Sequence, residues 1–196
     1  SFAVTITVND VAPAALSYNM PNVYTVNSAI AALVPTVSGN NLSFSVAPSL
    51  PAGLSLDAST GQITGTPTSV TAEATYTVTA SNTGGTTSFG ISITVNDVAP
   101  ISLTYTTPNV YTIGSAITAL APSITGNVTN YSVSPALPNG LVLNTTTGVI
   151  SGLPTTITDT EIYTVTATNS GGSTSFGISI TVNDIAPGTL LYNTPN

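Results

Sequence analysis

One thirteen-residue string occurs three times in this chain, and its spacing limits what the chain can fold into. Ser88 to Pro100 reads SFGISITVNDVAP, Ser175 to Pro187 reads SFGISITVNDIAP, and Ser1 to Pro13 reads SFAVTITVNDVAP. Asn9, Asn96 and Asn183 therefore stand 87 residues apart each time. A fixed period of this kind marks copies of one folding unit strung along the chain. It divides the sequence into residues 1–13, the last strand and junction of a preceding repeat; 14–100, a full repeat; 101–187, a second; and 188–196, the first strand of a following one. Tyr18, Tyr105 and Tyr192 fall in register, as do Pro21, Pro108 and Pro195. The two end pieces lack the middle of a unit, so the chain reads as a window on a longer array.

Within a repeat the hydrophobic period is two. Phe89, Ile91, Ile93 and Val95 alternate with Gly90, Ser92 and Thr94, and Tyr76, Val78 and Ala80 alternate with Thr75, Thr77 and Thr79. The first set is expected to face a core and the second to face water, since threonine is both β-branched and polar. Turn signals punctuate the repeat: Ser38-Gly39-Asn40, Leu50-Pro51-Ala52-Gly53, Ser59-Thr60-Gly61, Gly65-Thr66-Pro67 and Asn82-Thr83-Gly84-Gly85. The pattern predicts strands at Ala15–Tyr18, Val23–Val26, Ala32–Val37, Leu42–Val46, Leu54–Asp57, Gln62–Thr64, Ala74–Ala80 and Thr86–Val95. Seven or eight short strands per 87 residues make an all-β chain of tandem two-sheet antiparallel sandwiches. The core set is Leu54, Leu56, Ile63, Tyr76, Val78, Phe89, Ile91 and Ile93; the junction set is Asn96, Asp97 and Pro100.

Composition removes whole classes of function. Hydrophobic residues make up 41 % of the chain, enough for real cores, but only 4 % is charged, against roughly 25 % in an average soluble protein. There is no Lys, Arg, His, Cys or Trp. Nothing can neutralise phosphate, which argues against nucleic acid as a partner. Zinc, copper and haem lose their usual ligands, and a disulfide framework is impossible. No apolar run of about 18 residues occurs, so no membrane span is expected.

The remaining candidates for chemistry are sparse. Asp159 and Glu161 lie two apart, the spacing that puts two carboxylates on one face of a strand, as glycosidic acid–base work requires. Their counterparts in the first repeat are Ala72 and Ala74, so the alternative is an edge acid that serves solubility. Thr75, Thr77 and Thr79, and again Thr164, Thr166 and Thr168, form ladders of the type found on ice-binding surfaces, or ordinary strand faces. Asn41, Asn127, Asn130 and Asn144 each head an N-x-S/T sequon. Tyr18, Tyr24, Tyr105 and Tyr111 flank the junction loops, either to stack on sugars or to cap the core with the hydroxyl reaching water. From Val98 to Thr158 no side chain carries charge, so lateral self-association into fibres or bundles meets no repulsion there.

Leu50 to Pro67, LPAGLSLDASTGQITGTP, its copy Leu137 to Pro154, LPNGLVLNTTTGVISGLP, and Tyr24 to Gly39, YTVNSAIAALVPTVSG, resemble the bacterial "putative Ig" repeat of the dystroglycan-type, cadherin-like sandwiches. The resemblance covers the whole unit and implies tandem modules of large extracellular or cell-surface, adhesin-like proteins. Cadherins hold calcium between domains through a D-x-N-D-N-x-P linker and an L-D-R-E turn. Here the linker is Thr94-Val95-Asn96-Asp97-Val98-Ala99-Pro100 and the turns are Leu56-Asp57-Ala58-Ser59 and Leu143-Asn144-Thr145-Thr146. The resemblance implies Asp57, Asn96 and Asp97 as the calcium candidates, where six to eight oxygens would be wanted. The other reading makes Asn96-Asp97 an inter-domain turn bonded to nearby backbone. The sequence thus points to a stalk, spacer or filament module, non-enzymatic and without a resident cofactor, partnered by neighbouring repeats and by itself. The alternative is an adhesion module that binds glycan or a partner protein through its loops.

Overall fold

The computed structural model describes residues 2–188; the expected opening strand of a further repeat, with Tyr192 and Pro195, lies outside the described residues. Among the described residues every regular element is a strand. The first eight are β1 (Ala14–Ser17), β2 (Asn22–Thr25), β3 (Thr36–Ser38), β4 (Ser43–Ala47), β5 (Leu54–Leu56), β6 (Ile63–Gly65), β7 (Thr71–Asn82) and β8 (Gly85–Asn96). The second eight repeat them: β9 (Ile101–Thr104), β10 (Asn109–Thr112), β11 (Ser123–Thr125), β12 (Asn130–Ser134), β13 (Leu141–Leu143), β14 (Ile150–Gly152), β15 (Thr158–Asn169) and β16 (Gly172–Asn183). The chain forms two compact units, Ser1–Asp97 and Val98–Asn196.

Each unit is a two-layer sandwich. In the first, one sheet runs β2-β8-β7-β4. The facing layer holds the pairs β1-β3 and β5-β6, tied together where Leu33 exchanges two backbone hydrogen bonds of 2.9 Å with Ile63. The second unit has the same order, β10-β16-β15-β12 facing β9-β11 and β13-β14. The period of two builds these sheets directly. Tyr76, Val78 and Ala80 on β7 and Ile91, Ile93 and Val95 on β8 are buried between the layers, with Leu54 and Ile63 opposite. Phe89 and Leu56 are half-buried and pack on the rim of that core. Fully burying one such isoleucine or valine stabilises the sandwich by about 1.5–3 kcal/mol.

Three features depart from the sequence pattern. The pairing is antiparallel except at β2, which runs parallel to β8, Asn22 opposite Ile93 and Thr25 opposite Asn96, and at its copy β10, which runs parallel to β16. The chain leaves β1 and crosses to the other layer without reversing, so it arrives beside β8 in the same direction. The expected strand Ala32–Val37 shrinks to Thr36–Ser38, with Leu33 making only its bridge to Ile63; Pro35 has no amide to continue a ladder between them. Finally, Val98 to Pro100 pack on the second unit, with Asn169 Nδ2 donating to the Val98 carbonyl at 2.7 Å. The division therefore falls after Asp97 rather than after Pro100.

Residues 2–13 form no strand. Phe2, Val4, Ile6 and Val8 match Phe89, Ile91, Ile93 and Val95 in sequence, yet they are fully or largely exposed. In β8 the same pattern is covered because the facing layer, with Leu16, Leu33, Leu54 and Ile63, packs over it.

Candidate functional site

A polar network in the first unit lies where the Asn9–Pro13 peptide meets the sandwich. The Asp10 amide donates to Thr83 Oγ1 at 2.8 Å, and that hydroxyl donates on to Asp10 Oδ2 at 2.7 Å. Asn41 Nδ2 donates to Asp10 Oδ1 at 2.8 Å. Asn82 Nδ2 donates to the carbonyls of Val11 and Asn40 at 2.8 and 2.9 Å, while its Oδ1 accepts the Gly84 amide. The bonds from Thr83, then Asn41, hold the Asp10 carboxyl below its ordinary value. Gly84 is needed for closeness: a Cβ there would stand 2.0 Å from the Asp10 carbonyl oxygen. In the second unit Asn169 takes the place of Asn82, donating to Val98 and Asn127 carbonyls at 2.7 and 2.9 Å and accepting from Gly171. Sequence reasoning marked Asn82-Thr83-Gly84-Gly85 only as a turn; the recurrence of Asn before Gly-Gly in both copies was the available signal.

The calcium candidates are placed apart. Asp57 follows β5, where the Ala58 carbonyl receives the Phe44 amide; Phe44 pairs with Ala80 and Ala80 with Thr87. Asn96 is at the far end of β8, opposite Thr25. Nine residues of β8 separate those levels, roughly 30 Å at strand rise. Asp57 and Asn96 thus sit at opposite ends of the first unit, with Asp97 following Asn96. Asp57 instead closes its own turn: Oδ1 accepts the amides of Ser59 and Thr60 at 2.8 and 2.9 Å. These bonds, Thr60 first, lower its proton affinity. Asn144 makes the same turn with the Thr146 and Thr147 amides, both at 2.9 Å. Among the described residues no group of three or more Asp or Glu is close enough to hold a metal ion.

The Leu-Pro-x-Gly … Thr-Gly-x-Ile-x-Gly run is a packing device. Gly53 has φ +90° and a Cβ there would lie 2.0 Å from the Thr66 carbonyl oxygen; Gly140 is its twin against Leu153. The Tyr18 hydroxyl donates to the buried Gly61 carbonyl at 2.6 Å, and Tyr105 does the same to Gly148 at 2.7 Å. These hydroxyls end on backbone, not in water as expected. Burial pushes Tyr18 up to about 12 and raises Tyr105 as well. Tyr24 and Tyr111 are half-buried, and the Tyr24 hydroxyl donates to Asn22 Oδ1 at 3.3 Å.

The other candidates are distributed over the surface. The threonine ladders face outward, and one hydroxyl of each bonds a serine on the next strand, Thr79 with Ser88 and Thr166 with Ser175, both at 2.8 Å. Asp159 is exposed, and the Glu161 carboxylate accepts the Tyr163 hydroxyl at 3.1 Å. The register of β15 shifts between Thr158 and Glu161, so the two acids do not stand on a regular strand face. Of the sequon residues, Asn41 is engaged with Asp10 and Asn144 with its turn, while Asn130 opens β12 at the surface. An open groove of about 520 Å³ runs between β12 and β13, lined by Tyr131, Val133, Leu137, Leu141, Val142 and Leu143. Val142 is 61 % exposed there, and Ser55 is its counterpart in the first repeat.

Comparison with known proteins gives this arrangement a context. The model of the family described as "Putative Ig domain" matches residues 3–96 and 92–183. Among curated relatives, the "Serine-rich adhesin for platelets" of Staphylococcus aureus strain MRSA252 is 32 % identical over 163 residues, covering 79 % of this chain and 12 % of the adhesin. The same-named protein of strain MSSA476 is also 32 % identical, and the match takes 7 % of its length. The chain thus spans only a small part of these relatives. Among solved structures, a three-Ig fragment of titin, domains I67–I69 in an E-to-A variant, has a TM-score of 0.52 at 14 % identity, over 90 % of this chain and 67 % of that one. Extracellular domains 3–5 of Drosophila OTK give 0.51 at 15 % identity, over 86 % and 62 %. At that identity the likeness concerns the fold alone.

Proposed function

Because the chain belongs to the "Putative Ig domain" family, we propose that it is a spacer module in the stalk of an extracellular, adhesin-like surface protein. The observation that carries this reading is the duplication of the core. Tyr76, Val78, Ile91 and Ile93 are buried in one unit, and Tyr163, Val165, Ile178 and Ile180 fill the same places in the other. Such a unit adds length without adding chemistry. The only paired acids, Asp159 and Glu161, are replaced by alanines in the sister copy, and the chain offers no His or cation to tune them, so we read the module as non-enzymatic. Similarity to a surface adhesin supports an extracellular location.

The test is to build chains with two, three and four 87-residue copies and measure their longest dimension by small-angle scattering. A spacer lengthens by a constant increment per copy, about 40 Å from a twelve-residue strand. A dimension that fails to grow with copy number removes the reading. A second reading is adhesion, favoured by the apolar groove between β12 and β13 and by the relatives' name. It predicts selective retention of the isolated chain on a glycan array or on platelets. Lateral association through the uncharged span from Val98 to Thr158 is the further part of the proposal; sedimentation that stays monomeric at high concentration argues against it.

A further inference from the structure

Three copies of Asn-Asp-(Val or Ile)-Ala-Pro occur in the sequence, and they are not held alike. Asn183 to Pro187 is exposed, and among the described residues the Asp184 carboxylate accepts the amide of its own neighbour, Ile185, at 2.7 Å. Asn9 to Pro13 is gripped. Its Asp10 amide, both Asp10 carboxylate oxygens and the Val11 carbonyl each find a partner on Asn41, Asn82 or Thr83. Pro13 is buried, with the Gly39 Cβ position 3.2 Å from its Cα.

We propose that the loop end of the sandwich, Asn40–Asn41 on one side and Asn82 to Gly85 on the other, is a docking site for the Asn-Asp-Val-Ala-Pro junction peptide. The peptide is then a bound part of the sandwich that follows it. Each feature of the peptide meets a matching group. The acid is read by a hydroxyl and an amide donor. The backbone is read by Asn82, whose carboxamide is fixed by the Gly84 amide and the Asn40 carbonyl. The close approach is permitted by Gly84, and by Gly85, where a Cβ would stand 3.2 Å from that of Ala12. The second unit captures its own peptide through the same carboxamide: Asn169 bonds Val98, and a Cβ on Gly172 would stand 3.1 Å from that of Ala99. Of these contacts, the ones to the Asp10 carboxylate are charge-assisted, the stronger kind of hydrogen bond.

The docking does not depend on whether the array serves as spacer or adhesin, so its test is local. In the full chain, amide exchange of Asp10 is expected to be about tenfold slower than in the same sequence unstructured. Its carboxyl is expected to titrate below the ordinary carboxylate range. Thr83→Val removes the hydroxyl that both accepts and donates, so the amide protection is expected to vanish and the carboxyl to return part of the way toward its ordinary value, Asn41 still donating to it, while the amides of Val78 and Ile91 keep their protection. Gly84→Ala, which drives a methyl against the Asp10 carbonyl, is expected to release the peptide in the same way. An Asp10 amide that exchanges at the unstructured rate in the unaltered chain overturns the proposal, as does protection that survives Thr83→Val.

Discussion

The two units solve the same backbone problems with different atoms. After β5 a turn must satisfy two amides, and Asp57 does so with a carboxylate; after β13, Asn144 does it with a carboxamide at the same distances. Before the Ile30 or Ile117 segment the chain takes a left-handed residue, Asn27 at φ 61° in one copy and Gly114 at φ 73° in the other. Against the Gly61 or Gly148 turn stands a ring, Phe44 in one and Tyr131 in the other, each 2.7 Å from where a Cβ would be. The geometry is held constant and the side chain is free wherever another can supply it. A difference in charge at one turn then becomes a difference in how each unit meets acid.

The comparison can be broken most forcefully at a position where no exchange is tolerated. Gly53→Ala should destabilise the first unit by about 3 kcal/mol or more, since it combines a positive φ with a backbone clash. Two-transition melting should show the second unit unmoved, and Gly140→Ala should do the reverse. Tyr18→Phe and Tyr105→Phe each leave a buried carbonyl without its donor and should cost about 1–3 kcal/mol in their own unit, in equal measure. Titration separates the units more gently. Asp57 and Asp10 are lowered from 3.8, so their contribution is present above that value and fades as pH falls through the lower folded values. Asn144 carries no such proton, so acid should loosen the first unit first, and Asp57→Asn should narrow the gap. At high pH the units should weaken together. Tyr18, raised by burial from 10.0 to about 12, stabilises fully below pH 10 and loses that contribution as pH rises toward 12; Tyr105 is raised from 10.0 as well. Smallest of all, Asn27→Gly should leave the melting of the first unit within about 0.5 kcal/mol, because glycine accepts the left-handed conformation its sister position already uses.

Much of the fold could be read from alternation alone. Tyr76, Val78, Ile91 and Ile93 are inward because period two and a threonine-rich opposite face leave them no other side. What alternation cannot supply is the partner. Nothing local says that β2 lies beside β8, about seventy residues away, or that the Tyr18 hydroxyl ends on Gly61. Asp57 drew notice through its place in a cadherin-like turn, but its carboxylate is spent on the two amides that follow it, a bond pattern equally open to asparagine. Asn82 looked like turn chemistry because its partners, Asn40 and Val11, are distant in sequence. Long-range polar contacts leave little trace in a single chain, whereas packing leaves a period.

The parallel pair β2–β8 has a consequence for a module tugged at both ends. The second strand of the unit and its last strand lie side by side, Asn22 to Thr25 against Ile93 to Asn96. Opposite pulls on them slide one along the other and load that patch of hydrogen bonds in shear, all at once. An antiparallel pair at the same place would be peeled open one bond after another.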